Sequence, residues 1–287
     1  MTTLLQPRSV VGSRSLQWAE LTPDGSQLIV GDFLLELWDL AGKVVHHFDV
    51  PGAIVWRARS TPDGRRIVSG HGDCKIRIWD RETTSLEHLI EQDEITTRLT
   101  LSADGQLALG ASANKHLTLF EVETGVVRAH VRHKKSFSIG AALHPTGRLA
   151  AHAGTDGYFR VYDFEDEQER SATAGKGWVN DLAMSGDGSL FATGGRDKTV
   201  MLWNERGEHL RTLRGMSKAI QGVAVSPDGS RVAACGTRGD VFLWDPESGE
   251  LVAKLAHDTE VRAVSFSSDG ETIVTATSSG VRLFDTA

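Results

Sequence analysis

Short stretches of alternating apolar and polar residues, separated by glycine-containing turns, occupy most of the chain. A period of two is typical of β-strands that bury one face. In one clear example the pattern predicts four consecutive strands over residues 178–184, 189–194, 199–204 and 208–213. The first strand of each such unit is the most apolar. Its inward positions recur at period two as Leu99/Leu101, Leu182/Met184, Val223/Val225 and Val264/Phe266. The sequence therefore predicts an all-β protein made of four-stranded units.

A turn that ends in glycine recurs along the whole chain, at intervals of 39 to 42 residues. Because glycine adopts positive φ without steric cost, Asp-Gly between apolar runs strongly favours a β-hairpin. All of these turns except Thr146-Gly147 read Asp-Gly. The turn glycines are Gly25, Gly64, Gly105, Gly147, Gly188, Gly229 and Gly270. This regularity predicts seven tandem structural repeats.

Each repeat ends in an aromatic residue followed by an acidic or amide residue. The pairs are Trp38-Asp39, Trp79-Asp80, Phe120-Glu121, Tyr162-Asp163, Trp203-Asn204, Trp244-Asp245 and Phe284-Asp285. With this ending and a period near 40 residues, essentially the whole chain resembles the WD-repeat family. The resemblance implies a seven-bladed β-propeller with four antiparallel strands per blade, lettered a to d from the axis outwards. It also implies that the aromatic residue packs between blades and binds no ligand.

The seventh repeat has no outer strand of its own, because the sequence ends just after its strand c. Residues 4–11 precede the first inner strand and have no other evident partner. We expect this segment to join the last blade as strand d and to close the ring. Pro7 is compatible with that position, since an edge strand tolerates a missing N–H. Residues 1–287 would then form a single propeller domain.

The repeats depart from the family pattern in their histidines. The family places a histidine before strand a and links it through hydrogen bonds to an Asp, a Ser or Thr, and the Trp. Only His257 fits this position well, and blade two has Ser69, Asp73 and Trp79 without it. The sequence therefore predicts that no blade contains the complete chain of hydrogen bonds.

Composition narrows the classes of partner. The 287 residues carry a formal net charge of −7, whereas duplex binding usually needs a basic excess, so nucleic acid is disfavoured as the main partner. The two cysteines, Cys74 and Cys235, suggest neither a disulfide framework nor a zinc site. No signal peptide and no long apolar run is present. We therefore expect a cytoplasmic protein without a membrane partner.

The chemistry-bearing residues form no recognisable catalytic motif. None of the 11 histidines has the spacing of a metal site, and no nucleophile elbow or phosphate-binding loop occurs. The strand a positions at the channel mouth are expected to be mostly apolar. The sequence thus predicts a protein that is not an enzyme and needs no metal or cofactor. The alternative is a propeller enzyme or small-ligand sensor that uses the central channel.

In WD-repeat proteins the d–a and b–c loops share one face, called the top, which commonly holds ligands. Positions ten and eight residues before each turn glycine map to that face. Six large apolar residues from repeats two to five would form one apolar arc there, beside polar candidates. The arc is Ile54, Trp56, Ile95, Phe137, Ile139 and Trp178, and the polar candidates are Asn180, Arg196, Gln221 and Arg262.

Aromatic and arginine side chains are enriched in protein-binding hot spots, and exposed apolar patches usually mark interaction sites. We therefore expect a non-enzymatic scaffold or recognition subunit that binds a protein or peptide on the top face. It would be monomeric in isolation and would work within a larger complex. Two alternatives stay open: neighbouring loops bury the arc, or the arc joins copies of this chain.

Overall fold

The computed structural model describes residues 3–12, 15–112, 116–132 and 138–286, which form β-strands joined by turns. Two short strands come first, β1 (Thr3–Leu5) and β2 (Ser9–Val11). Blade one contains β3 (Trp18–Leu21), β4 (Gln27–Gly31), β5 (Leu35–Asp39) and β6 (Val44–Phe48). Blade two contains β7 (Val55–Ser60), β8 (Arg66–His71), β9 (Lys75–Asp80) and β10 (Leu86–Glu91). Blade three contains β11 (Thr96–Leu101), β12 (Leu107–Ser112), β13 (His116–Glu121) and β14 (Val127–Arg132).

The remaining blades repeat this arrangement. Blade four contains β15 (Ser138–Leu143), β16 (Leu149–Gly154), β17 (Tyr158–Asp163) and β18 (Glu169–Thr173). Blade five contains β19 (Val179–Met184), β20 (Leu190–Gly195), β21 (Val200–Asn204) and β22 (His209–Leu213). Blade six contains β23 (Ile220–Val225), β24 (Val232–Gly236), β25 (Val241–Trp244) and β26 (Leu251–Leu255). Blade seven contains β27 (Val261–Phe266), β28 (Thr272–Thr277) and β29 (Gly280–Asp285).

Within each blade the strands pair antiparallel in chain order, and the inner strands of successive blades contact one another around a ring. The chain is therefore a seven-bladed β-propeller, and the prediction from the repeats is confirmed. Within the described ranges, no helix is long and apolar enough to cross a membrane.

The N-terminal segment closes the ring, but it divides between two blades. β2 pairs antiparallel with β29 and supplies the outer strand of blade seven, as expected. β1 instead pairs parallel with β26 and adds a fifth strand to blade six. Pro7 lies between the two strands, in the link where the chain crosses from one blade to the next. The expectation of one strand over residues 4–11 is therefore wrong for its first half.

The hydrophobic core lies between the blades. The aromatic residues at the ends of the c strands are buried there, except for the half-buried Tyr162. Trp79 packs edge-on against Phe48 of blade one, and Trp203 stacks on Phe159 of blade four at 4.9 Å between ring centroids. These contacts confirm the structural role expected for the Trp of the Trp-Asp pair.

Blade two replaces the missing family histidine with one from its own b strand. The indole Nε1 of Trp79 donates to the hydroxyl of Ser69 at 2.7 Å, and that hydroxyl lies 2.7 Å from Nε2 of His71. Asp73 does not join this chain, because Arg77 binds its carboxylate through both terminal nitrogens. In blade seven Nε2 of His257 lies 2.8 Å from the hydroxyl of Thr275, and Phe284 occupies the position that is Trp in four of the other blades. The prediction that no blade holds the complete family network therefore agrees with the contacts around these residues.

Candidate protein-binding site on the top face

A cavity of about 660 Å³ opens at the top mouth of the central channel. All seven positions that lie eight residues before a turn glycine line it. They are Gln17, Trp56, Thr97, Ile139, Asn180, Gln221 and Arg262. The propeller repeat therefore brings one residue from every blade to the same cavity.

The structure brings together six of the ten residues predicted for this site. Trp56, Ile139, Trp178, Asn180, Gln221 and Arg262 line the cavity. Ile54 and Ile95 are half-buried and lie outside its lining, as does the exposed Arg196. Phe137 lies outside the described residues. The apolar residues that line the cavity are Trp18, Trp56, Ile139, Trp178 and Ala263, and of these Trp56 and Trp178, on blades two and five, are the exposed ones.

The two tryptophans are partly open to solvent. Trp56 is 38% exposed and Trp178 is 42% exposed. The guanidinium of Arg196 lies over the Trp178 ring, 3.6 Å from its centroid, so a cation–π contact holds this side chain at the rim. Arg196 does not line the cavity itself, but it holds Trp178, which does. The two exposed indoles favour the interface interpretation over complete burial beneath neighbouring loops.

A β-bulge shapes the mouth in six of the blades. In blades two to seven the pairing of strand a with strand b skips the residue eight before the turn glycine. A bulge re-aims the side chains beside it, so two consecutive residues can face the axis. The following residue therefore also lines the cavity in several blades: Arg57, Arg98, Asp181 and Ala263.

These additional residues give the channel a charged interior. Nε of Arg98 donates to Oδ1 of Asp181 at 3.2 Å, and Oδ2 of Asp181 accepts from the backbone N–H of Val223 at 3.1 Å. Burial lowers the pKa of Arg98, against the raising effect of Asp181. Arg59 pairs with Glu20 farther along the channel. Arg57 shows no ion pair within the described part of the chain.

A second cavity of about 490 Å³ lies at the opposite end of the channel, and Arg57 lines both cavities. The positions five residues before the turn glycines all line this second cavity: Glu20, Arg59, Thr100, Ala142, Ala183, Ala224 and Ser265. The apolar residues at alternate positions, such as Leu182 and Val223, are buried in the clusters between blades. The expectation of a mostly apolar channel mouth is therefore wrong, because most residues that line it are polar or charged.

Sequence spacing also missed a group at the edge of blade three. One ligand atom each from Asp93, His116 and His130 lies within 4.8 Å of the others. These residues are far apart in the sequence, so no short motif indicated them. None of the three lines the top cavity.

This geometry identifies the class of protein. The family described as WD domain, G-beta repeat matches residues 42–80, 168–204, 207–245 and 249–285, which together exceed half of the chain. The chain belongs to the WD-repeat family. Propellers of this kind typically serve as scaffolds for protein interaction, and their site residues differ from member to member.

Several curated proteins are similar to parts of this chain. The WD repeat-containing protein 26 homolog of Arabidopsis thaliana is 30% identical over 127 residues, which are 40% of this chain and 20% of that protein. The WD repeat-containing protein SL1-17 of Schistosoma mansoni is 28% identical over 141 residues, covering 47% and 45% of the two chains. Polyadenylation factor subunit 2 of Cryptococcus neoformans is 24% identical over 121 residues, covering 42% and 17%. The matched region thus spans less than half of each relative.

Proposed function

We propose that this propeller is a non-enzymatic recognition subunit that binds a protein or peptide across the top cavity. The observation that carries the proposal is the pair of half-exposed indoles, Trp56 and Trp178, at one charged channel mouth. Exposed aromatic side chains in a concave, partly apolar site supply most of the binding energy in many protein interfaces. Polyadenylation factor subunit 2 is named as a subunit, which supports an analogous role within a complex.

The charges in the cavity support a partner with an acidic group. Asp181 compensates Arg98, whereas Arg57 has no acidic partner in the described chain and faces the same space. A partner that places an apolar or aromatic side chain between the tryptophans and extends a carboxylate towards Arg57 would complement both features. We further propose that the protein acts as a monomer in the cytoplasm until it joins its complex.

Affinity capture with quantitative mass spectrometry tests this proposal. The wild-type chain and the double variant Trp56→Ala/Trp178→Ala are each used to capture partners from the native host. Each truncation should cost about 2 kcal/mol or more of binding energy, or roughly 30-fold in affinity, because hot-spot tryptophans lose their buried contact area. The partners recovered with the wild type should therefore be lost with the double variant.

A matched control uses exposed leucines on the outer strands of the same two blades. Leu89 is 45% exposed on β10, and Leu210 is 55% exposed on β22. Leu89→Ala/Leu210→Ala should capture the same partners as the wild type. If the tryptophan variant retained them while the leucine variant lost them, the binding surface would be the side of the propeller, and the top-face proposal would be wrong.

A second candidate function is favoured by Arg57, which lines both cavities. A small anionic ligand in the channel could pair with this guanidinium. Thermal unfolding in the presence of phosphate, citrate and nucleotide should detect such a ligand as a saturable rise in Tm that Arg57→Gln abolishes. We expect no turnover of hydrolase substrates. A rate above background that is lost with Asp181→Asn would instead support the enzyme alternative.

A further inference from the structure

Two adjacent strands of blade three present His116, Thr118 and His130 on one face. β13 and β14 pair antiparallel, with Thr118 directly opposite His130. His116 lies two residues before Thr118, so it occupies the diagonal position relative to His130. The two imidazole rings are 4.7 Å apart between centroids. The sheet backbone therefore holds both rings side by side.

A chain of hydrogen bonds fixes the orientation of the His130 ring. The hydroxyl of Thr118 donates to Oε1 of Gln92 at 2.7 Å, and the same hydroxyl lies 3.0 Å from Nδ1 of His130. Because the hydroxyl has one proton and gives it to Gln92, Nδ1–H of His130 must donate to Thr118. The remaining nitrogen, Nε2, then carries the lone pair in the neutral ring. Metal-binding histidines are commonly oriented by a hydrogen bond of this kind.

The Nε2 atom of His130 faces a carboxylate. It lies 3.7 Å from Oδ2 of Asp93, which is beyond the length of a direct hydrogen bond. Asp93 follows Gln92 in the loop between blades two and three, and the backbone N–H of Gln92 donates to the carbonyl of Cys74 at 2.8 Å. This bond and the Thr118 contact anchor the loop. An acceptor nitrogen and a carboxylate are thus held facing each other across a gap.

His116 completes the group. Its Nδ1 is buried and has no hydrogen-bond partner among the described residues. A buried imidazole nitrogen without a partner is uncommon, because an unsatisfied polar atom is costly. Ligand atoms of all three residues lie within 4.8 Å of one another.

We propose that Asp93, His116 and His130 form a binding site for one divalent transition metal of the zinc class. Two imidazoles, which are borderline nitrogen ligands, together with one carboxylate suit Zn²⁺ better than Ca²⁺ or Mg²⁺, which prefer oxygen ligands alone. Zinc–ligand distances of about 2.0–2.1 Å place neighbouring tetrahedral ligands about 3.3 Å apart. The 3.7 Å between Nε2 of His130 and Oδ2 of Asp93 needs a shift of only a few tenths of an ångström, and the ligand atom of His116 must also approach from within 4.8 Å of the other two. These three side chains fill three positions of a tetrahedral site and leave the fourth for a further ligand such as water. The bound metal links the loop between blades two and three, through Asp93, to strands β13 and β14 of blade three.

Calorimetric titration of chelator-treated protein with Zn²⁺ tests the site. The wild type should bind one Zn²⁺ per chain, and the metal should raise Tm because it binds the folded state. Co²⁺ should bind at the same place and give the visible absorption of a tetrahedral nitrogen–oxygen site. Absence of saturable Zn²⁺ binding to the wild type at micromolar metal would overturn the proposal.

Variants distinguish this site from other surface histidines. His130→Gln and Asp93→Asn should each weaken Zn²⁺ binding by more than about 100-fold. Loss of a residue that only orients a metal ligand costs up to about 100-fold, and loss of the ligand itself should cost more. Asp93 is exposed in a loop, so its variant should fold normally. His209→Gln is the control, because His209 is an exposed outer-strand histidine bonded to Thr212. Equal affinity in the wild type and Asp93→Asn would contradict the proposal.

Thr118 acts as a positioning residue, and its effect has a separate signature. Thr118→Val removes the hydrogen bond that directs the lone pair of His130 towards Asp93 and should weaken Zn²⁺ binding by about 10–100-fold. Thr118→Ser retains the hydroxyl and should restore the affinity. If the valine and serine variants bound Zn²⁺ equally, the orientation of His130 would not depend on Thr118, contrary to the proposal.

Discussion

Arg98 and Asp181 form an ion pair across the central channel, with Nε of the arginine 3.2 Å from Oδ1 of the carboxylate. Arg98 belongs to the inner strand of blade three and Asp181 to that of blade five. The second carboxylate oxygen accepts the backbone N–H of Val223 in blade six. One side chain thus joins three blades at the axis, where each blade otherwise contacts its two neighbours.

Asp181→Ala should destabilise the protein by about 1.5–3 kcal/mol, because Arg98 loses its partner in a confined channel and the N–H of Val223 loses its acceptor. Urea denaturation measures the change. The double variant Arg98→Met/Asp181→Ala should recover part of the loss, since it leaves no unpaired guanidinium. If the loss of stability in the double variant equalled the sum of the losses in Arg98→Met and Asp181→Ala, the ion pair would contribute nothing to stability.

The position of these charges also explains what the sequence could not reveal. Seven turn glycines and terminal aromatic pairs were enough to predict the blades, the strand order and one residue per blade at the top mouth. Strict alternation, however, allows only every second residue to face the axis. The bulge after Val55, and the equivalent bulges in blades three and five, shift the alternation by one residue. As a result Arg57, Arg98 and Asp181 face the channel, although strict alternation from the preceding residue would point them away from it. No residue type marks that bulge in advance.

The contact between blade one and the end of β2, the outer strand of blade seven, depends on Gly12. Its φ is +72°, and an added Cβ would collide with the ring of Trp38. Gly25 has a similar φ of +67° but has no atom within 4 Å of the added Cβ. We expect Gly25→Ala to cost about 1–2 kcal/mol from backbone strain alone. Gly12→Ala should cost about 1–3 kcal/mol more, because overpacking adds to the same strain.

Thermal and urea unfolding of the two glycine variants compare the strain and the collision directly. Because both glycines have left-handed backbone angles, the difference between the variants isolates contact with Trp38. Equal losses would mean that the ring moves aside freely and that this contact is loosely packed. The sequence identified Gly25 as a turn residue, whereas the role of Gly12 depends on a neighbour 26 positions away.

The hairpin turns between strands a and b should make the fold sensitive to strong acid. The carboxylate of Asp228 accepts from the hydroxyl of Ser226 at 2.6 Å and from the N–H of Ser230 at 3.0 Å. These hydrogen bonds, that of Ser226 foremost, lower its pKa to about 2. Since the folded pKa lies below the ordinary value near 4, the stabilisation is present above about pH 4 and is lost as the pH falls towards 2.

Asp228→Asn should therefore reduce the dependence of stability on pH between about 4 and 2. The site is exposed, so the effect should be only about 0.5–1 kcal/mol. Urea midpoints measured across this range test the expectation. The turn of blade four provides an internal contrast, since Thr146 pairs with His144 where the other turns have an aspartate. An unchanged pH dependence in Asp228→Asn would show that the carboxylate does not stabilise the turn.

His71 should make stability depend on pH in a milder range. The ring is fully buried, and burial lowers its pKa from 6.5 to about 3, helped by the nearby charge of Arg77. The unfolded chain binds a proton below pH 6.5 while the folded chain does not, so stability falls as the pH drops from 6.5 towards 3. The slope contributed by this one residue is at most about 1.4 kcal/mol per pH unit.

His71→Gln retains a hydrogen-bonding group beside Ser69 but cannot titrate. Its stability at pH 7.5 should be slightly lower than that of the wild type, and its slope between pH 6 and pH 4.5 should be smaller by about the stated amount. Parallel stability curves for the two proteins would mean that His71 is protonated in the folded state, and that the hydroxyl of Ser69 accepts from it.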